Sequence, residues 1–234
     1  MLLKKLEEIE ATLEQHDSNI ILAASNLVLA ESLNRVTEAI KQISIKDSIN
    51  NEAIKNVEID SENLSNLPDI HEIIRINIKP ELAQIDPKQH CLNNSIMAVG
   101  WGIKSMPTNF QNYLKKAAIE FPDGSYMKAI TILHNTQNKS VVWTRTGNGD
   151  KTLFYIGLII GPWVYMNDPV SISADCINTR KVIWHEVGGY SSIHKAIEKS
   201  FTPPTIAHIK DKSAIIFTKQ LTQKLIKEGI WPSL

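Results

Sequence analysis

The stretch "SVVWTRTGNGDKTLFYIGLIIGPWVY", residues 140–165, decides the fold class of this chain. Its first seven residues are rich in β-branched and aromatic side chains, which favour a strand. "GNGD" at 147–150 is a turn of the hairpin kind, and "TLFYIGLII" at 152–160 is long and apolar enough to be the returning strand. We therefore predict a β-hairpin here. Gly161-Pro162 is expected to end its second strand and turn the chain at the rim of the sheet.

The segments around this hairpin form a mixed pattern of strands and helices. Further strands are predicted at 93–101, 178–187 and 213–217, and helices at 109–121, from Ser125 to 136, near 191–200 and near 218–228. These elements do not follow a regular β-α-β alternation. The pattern therefore favours the α+β class, with a small β-barrel or curved sheet and helices packed outside it.

The first third of the chain has a different composition. All ten glycines lie at or after Gly100, and a segment without glycine turns suits helices. Apolar residues recur there at helical spacing, at Leu2, Leu6, Ile9 and Leu13 and again at Leu29, Leu33, Val36, Ile40 and Ile43. We predict a helical region over 1–45, as a helical hairpin or a dimerising helix pair. A polar linker with one short helix is predicted over 46–85, and a β-barrel domain with C-terminal helices over 86–234.

The formal net charge of zero conceals an uneven distribution of charge. Residues 1–86 carry 16 acidic and 8 basic side chains, whereas residues 87–234 carry 9 acidic and 17 basic ones. A basic domain attracts polyanions, of which nucleic acid is the commonest. The alternative is that the acidic and basic parts dock on each other.

Neither a membrane span nor a secretory signal is expected. No run of eighteen apolar residues occurs, and the N-terminus becomes highly charged after its first residues. The two cysteines, Cys91 and Cys176, have no metal-type spacing and form no disulfide framework, so we expect buried free thiols. We predict a cytoplasmic protein without membrane association.

The sequence lacks the usual signatures of catalysis. It contains no phosphate-binding glycine loop, no HExxH motif and no nucleophile elbow. No short cluster of carboxylates is present to hold a catalytic metal. We expect a binding module rather than an enzyme, with no catalytic residue, no metal ligand and no cofactor. The alternative is a metal-dependent nuclease whose carboxylates come from distant segments.

Aromatic residues are the most informative feature of the basic part. Trp101, Trp163 and Tyr165 lie at predicted strand ends or turns, where side chains can line the mouth of a barrel. Trp143 and Trp184 lie within predicted strands. Core packing is the ordinary role of tryptophan in a small domain, and we assign Trp184 to the core.

Three segments in order carry a resemblance to a known superfamily. "IMAVGWG" (96–102), "VVWTRTGNGDKTLFYIGLIIGPWVY" (141–165) and "NTRKVIWHEVG" (178–188) resemble a β-barrel of the PUA-like superfamily. The chain looks most like the EVE-like domains found beside methylation-dependent restriction nucleases and other prokaryotic defence genes, with YTH domains as more distant relatives. The resemblance covers about 90–190. Relatives often have a Gly-Asp before the second strand, where this chain has "QNKS".

The resemblance implies a reader that holds one flipped, modified base in an aromatic cage, first of all a methylated base in DNA, with RNA as the close alternative. Carried over, the implied pocket walls are Trp101, Trp163 and Tyr165, followed by Trp143. The implied base-edge contacts are main-chain groups of Gly100, Gly102 and Ser105. The implied phosphate contacts are Lys104, Arg145 and Arg180.

A third hypothesis concerns the acidic N-terminal region. It would make this chain an interaction or regulatory protein, in which residues 1–45 form a homodimer, bind a partner protein or cover the basic barrel.

Overall fold

The computed structural model describes residues 67–78 and 83–234, and these residues contain six strands and six α-helices. The strands are β1 (Ile73–Ile76), β2 (Ile96–Val99), β3 (Val141–Thr146), β4 (Leu153–Tyr165), β5 (Asn178–Gly188) and β6 (Ile206–His208). The helices are α1 (Pro87–Asn93), α2 (Phe110–Glu120), α3 (Met127–Asn135), α4 (Pro169–Ser173), α5 (Lys195–Ser200) and α6 (Lys212–Lys227). The helical region predicted over 1–45 lies outside the described residues.

The predicted hairpin is the centre of one six-stranded sheet. β3 pairs antiparallel with β4, from Val141 opposite Leu158 to Thr146 opposite Leu153. The strand order is β2-β5-β4-β3-β1-β6, with β1 and β3 parallel and the other pairs antiparallel. The sheet is curled like half a barrel and carries helices, so the predicted α+β class is confirmed.

Gly161-Pro162 does not end the second strand of the hairpin. β4 continues to Tyr165, and its pairing with β5 shifts between Ile159 opposite Val182 and Trp163 opposite Arg180. Three residues of β4 thus face one residue of β5, which is a bulge. Proline fits there because a bulge leaves amide positions unpaired. The prediction of a turn at the rim was wrong because a tolerated bulge has the same local sequence signal as a strand end.

The linker predicted over 46–85 contains a buried strand. All four residues of β1, "IIRI", are buried, and β1 lies between β3 and β6 in the sheet. The domain therefore begins before residue 86. Four residues are too few for a periodicity to be recognised, and their partners are at least 60 positions away along the chain. Residues 46–66 of the predicted linker lie outside the described residues.

The helices predicted at 109–121 and from Ser125 to 136 are confirmed. The prediction of a strand at 213–217 is wrong. Residues 213–217 belong to α6, which begins after Asp211, whose carboxylate accepts a hydrogen bond from the Ala214 amide at 3.0 Å. The run "AIIF" is apolar and β-branched, and a short run of this kind does not distinguish a strand from a buried helix. Residues Phe217, Leu221 and Leu225 share the buried face.

Both faces of the sheet are covered, and their residues alternate along each strand. On one face Met97, Val142 and Val182 join the core that includes Tyr113 of α2 and Ile130 of α3. On the other face the ring of Trp143 stacks on Phe217 of α6, and the ring of Phe154 contacts Phe201 after α5. Burial of apolar area on both faces contributes roughly 25 cal/mol per Å² to folding.

Two further observations concern predictions about the chain as a whole. Within residues 67–78 and 83–234, no helix is long and apolar enough to cross a membrane. Cys91 and Cys176 are both free and buried, with their Sγ atoms 3.7 Å apart.

Candidate functional site

The segment after β2 has an unusual main-chain conformation. We call residues Gly100 to Ile103 the Trp101 loop. Trp101 has a φ of +57°, in the left-handed region. A bulky residue rarely adopts this conformation, which costs on the order of 1–3 kcal/mol and persists only where surrounding contacts impose it. The loop must therefore be held by the rest of the fold.

Three buried polar side chains hold the Trp101 loop by its main chain. The Asn178 amide of β5 donates to the Gly100 carbonyl at 2.6 Å. The Tyr113 hydroxyl of α2 donates to the Trp101 carbonyl at 2.9 Å. The Tyr165 hydroxyl of β4 accepts from the Ile103 amide at 2.7 Å and lies 3.1 Å from the Ile103 carbonyl. Three separate elements thus fix the loop.

These supports do not depend on ionised groups. Burial raises the pKa of both the Tyr113 and the Tyr165 hydroxyl above the ordinary tyrosine value. Both hydroxyls therefore keep their protons at neutral pH and can donate to main-chain carbonyls. The side chains of Asn178 and Tyr113 are fully buried, and the Tyr165–Ile103 hydrogen bonds are buried as well, so these contacts are shielded from water at the supporting side chain.

The Trp101 loop forms one wall of a cavity of about 450 Å³, which we call the Trp101 cavity. Gly100, half-buried Trp101 and Gly102 line it. The facing walls come from several elements and include Asn77, Ile78, Pro87, Phe121, Asp175 and Thr205. The volume lies within the usual range for small-ligand sites, and aromatic and apolar walls with few polar groups are typical of them.

Asp175 lies directly against Gly100 in this wall. A Cβ atom added to Gly100 would lie 2.3 Å from an Asp175 carboxylate oxygen, so no larger residue fits at position 100 beside that side chain. Asp175 also has a left-handed main chain, with a φ of +51°. Two non-glycine residues in this conformation, Trp101 and Asp175, therefore line the same cavity.

Trp163 and Tyr165 lie behind the Trp101 loop and are not among the residues that line the Trp101 cavity. The Trp163 ring contacts the Phe110 ring at 5.2 Å and the Tyr113 ring at 5.8 Å between centroids, and its Nε1 donates to the Asn178 side-chain oxygen at 3.2 Å. The resemblance implies that both residues line the pocket, whereas in the structure they support the loop that lines it. The bulge in β4 leaves both on the α2 side of the sheet.

Trp143 lies on the opposite face of the sheet from the Trp101 loop. It is fully buried, and its Nε1 donates to the Thr218 hydroxyl of α6 at 3.1 Å. The pocket role implied for Trp143 is therefore wrong. Trp143 faces α6 because it alternates in β3 with Val142, which faces the other core.

Arg180 is the second residue whose implied role is wrong. Only 3% of it is exposed, and its guanidinium donates to the carbonyls of Gly161, Leu133 and Thr136 and to the Asn138 side chain. A buried cation near the end of α3 stabilises the helix carbonyls and ties them to the β4 bulge. A phosphate cannot reach the Arg180 guanidinium while these hydrogen bonds are in place.

The other implied polar contacts lie at two different places. Lys104 and Ser105 are exposed beyond the Trp101 loop, where the Lys104 amide donates to the Glu120 carboxylate at 2.9 Å. Half-buried Arg145 lies on the α6 side of β3, with its guanidinium carbon 5.1 Å above the Phe201 ring. The structure thus separates the three predicted phosphate contacts.

Several residues of the site had no recognisable signal in the sequence. Asn178 and Tyr113 lie 65 positions apart and meet only through the sheet and α2. Strand parity offered one usable signal, because Asn178 and Arg180 alternate with exposed Lys181 and share a face with Val182. Asp175 lies in a turn after α4, and its place against Gly100 depends on the fold.

Residues 67–78 and 83–234 contain no group of three or more His, Cys, Asp or Glu side chains arranged to hold a metal ion. Comparisons of the chain with protein-family models, with curated proteins and with solved structures gave no match.

Proposed function

We propose that this protein is a PUA-like, EVE-like binding module that recognises a modified, extruded base in DNA, in a restriction or defence setting. The observation that carries the proposal is the main chain of Trp101, which three buried side chains hold in a left-handed conformation at the wall of a 450 Å³ cavity. Strained, externally supported residues cluster at binding sites. The resemblance to EVE-like domains supplies the ligand class.

The Trp101 ring is suited to the flat face of a base. Stacking of one base on an aromatic side chain contributes about 1–3 kcal/mol, and every base offers such a face. Because the loop is fixed before binding, little conformational entropy remains to be lost when the ligand stacks. Phe121 on another wall adds apolar surface.

Discrimination between bases needs a polar edge contact as well. A buried methyl group contributes about 0.8 kcal/mol, which corresponds to only about a fourfold preference for a methylated base. The Asp175 carboxylate beside Gly100 can accept from the amino group of cytosine or adenine, which thymine lacks. A well-formed edge contact is worth about 1–3 kcal/mol of discrimination against the wrong base, so it carries more selectivity than the methyl group.

Fluorescence-polarisation titration tests this function. The full chain is titrated with labelled duplexes that carry one methylated cytosine or adenine, with the unmodified duplex and with RNA of the same sequence. Trp101→Asn removes the ring while keeping a residue that tolerates the left-handed conformation, and should weaken binding of the modified duplex about tenfold or more. Trp184→Phe, at a half-buried tryptophan outside the Trp101 cavity, is the matched control and should bind normally.

The result that would contradict the proposal is equal, weak binding of modified and unmodified duplexes that Trp101→Asn leaves unchanged. If RNA binds more tightly than either duplex, the ligand of the Trp101 cavity is RNA and not DNA.

A further inference from the structure

A second cavity adjoins the Trp101 cavity, and Asn77 and Ile78 line both. We call it the Arg145 cavity. Its volume is about 440 Å³, and its walls come from the end of β1, from α1, from the β3–β4 hairpin turn and from the segment around Phe201. Unlike the first cavity, it is lined by two basic side chains, Arg145 and Lys88.

Among the described residues, no carboxylate lines the Arg145 cavity. Within the described part of the chain, neither Arg145 nor Lys88 forms an ion pair with an acidic side chain. The guanidinium of Arg145 lies over the Phe201 ring, which orients it without neutralising its charge. An oriented guanidinium favours a ligand with two adjacent anionic oxygens, such as a phosphate.

Arg75 adds a third positive charge close to this cavity. It is 1% exposed and donates to the main-chain carbonyls of Ser200, Pro204 and Thr205 in the segment that supplies Phe201. Carbonyls are neutral, so they hold the guanidinium without cancelling its charge. Burial lowers the pKa of Arg75, and the charge of Arg145 lowers it further. An anion between these groups would relieve their repulsion.

The hairpin turn leaves its main chain open to a ligand on this side. Gly147 and Gly149 line the cavity, and both have left-handed main chains, with φ of +69° and +55°. A Cβ atom at Gly147 would lie 2.2 Å from the Lys151 carbonyl oxygen, so the turn requires glycine there. Glycine walls allow a ligand to approach main-chain groups closely.

We propose that the Arg145 cavity binds a phosphate group, and that the two cavities together take one nucleotide, with its base against Trp101 and its phosphate between Arg145 and Lys88. The assignment of the base rests on the proposed function, whereas the anion site stands on its own observations. The phosphate belongs either to the phosphodiester of a strand or to a free nucleoside monophosphate, and the same groups would bind both.

Calorimetric titration of the full chain separates these ligands. The probes are inorganic phosphate, deoxycytidine and deoxyadenosine 5′-monophosphates with their nucleosides, and a short single strand. Arg145→Gln should weaken binding of the phosphate-bearing ligands roughly 10- to 100-fold and leave the nucleosides unaffected. Lys88→Gln should act in the same direction. Lys128→Gln removes an equal charge from an exposed position outside both cavities and should change nothing.

The salt dependence of strand binding supplies a second readout. Loss of one phosphate contact lowers the slope of log K against log salt concentration by about one, and Arg145→Gln should show this change. Thermal unfolding of each variant shows whether the substitution has destabilised the whole fold. If Arg145→Gln does not fold, Lys88→Gln takes its place as the test of the phosphate site. Affinity for a free monophosphate assigns the site to terminal phosphates, whereas affinity for the strand alone assigns it to phosphodiesters.

The variants also separate the two proposals from each other. If Trp101→Asn abolishes binding while Arg145→Gln and Lys88→Gln change neither affinity nor salt slope, the phosphate site is overturned and the base reader stands. If both basic variants lose phosphate binding while Trp101→Asn has no effect, the base reader is overturned and the anion site stands.

Discussion

The Trp101 cavity and the Arg145 cavity share Asn77 and Ile78 but are built from different kinds of polar group. On the α2 side of the sheet, where the Trp101 loop is held, polar side chains such as Asn178 and Arg180 are buried and donate to main-chain carbonyls. In the second, Arg145 and Lys88 reach the cavity without a described acidic partner. Groups whose hydrogen bonds are used within the fold set geometry, whereas charges that remain unpaired are available to a ligand. Each variant below tests either a polar group that is used within the fold or a charge that is available to a ligand.

The largest effect is expected at Arg180. Arg180→Met leaves the carbonyls of Gly161 and Leu133 buried without a donor, and each orphaned group costs about 1–3 kcal/mol. We expect a loss of about 3 kcal/mol or more in the free energy of unfolding, measured by urea denaturation. Arg145 is half-buried and has no carbonyl partner among the described residues, so Arg145→Gln is the matched comparison and should lose about 1 kcal/mol or less. Equal losses in the two variants would contradict the distinction between them.

A smaller effect is expected where the Trp101 loop meets Asp175. Gly100→Ala forces the Asp175 carboxylate away from a position 2.3 Å from the new Cβ, at a cost of about 1–3 kcal/mol in stability. The double variant Gly100→Ala/Asp175→Gly removes the clash and suits the left-handed main chain at position 175. We expect it to recover most of the lost stability in urea denaturation without recovering base selectivity. Additive losses in the double variant would show that the two residues do not interact.

The smallest effect is expected from the tyrosine hydroxyl beneath the Trp101 loop. Tyr113→Phe removes one hydrogen bond to the Trp101 carbonyl and should cost about 1 kcal/mol. Because burial raises the pKa of Tyr113, the native state holds its proton where the unfolded chain releases it. The wild-type contribution is therefore fully present below about pH 10 and falls as pH rises above that value.

Urea denaturation between pH 8 and pH 11 measures this dependence. The wild type should lose stability above pH 10 more steeply than Tyr113→Phe, so that the difference between them narrows. Tyr155, which is half-buried and donates to Glu186, offers a comparison variant, Tyr155→Phe, that removes a tyrosine hydroxyl with a raised pKa elsewhere and leaves the Trp101 loop intact. A constant difference between wild type and Tyr113→Phe across this range would exclude titration of that hydroxyl.

The sequence predicted those parts of the fold that depend on neighbours along the chain. The hairpin of β3 and β4 follows from two apolar runs around a glycine-rich turn, and α2 and α3 follow from helical spacing. The prominence of Trp101 was also apparent, because a tryptophan between two glycines after a short strand is unusual. These features rest on backbone preferences that act over a few residues.

Only the tertiary structure decided which side chains face a ligand and which hold the fold. The resemblance implied site roles for Trp143 and Arg180 as it did for Trp101 and Arg145, yet α6 covers Trp143, and Arg180 binds the carbonyls at the end of α3. The insertion of β1 between β3 and β6 was likewise determined by contacts between residues far apart in sequence. The physical reason is that propensity acts locally, whereas the role of a side chain depends on which distant element covers its face of the sheet.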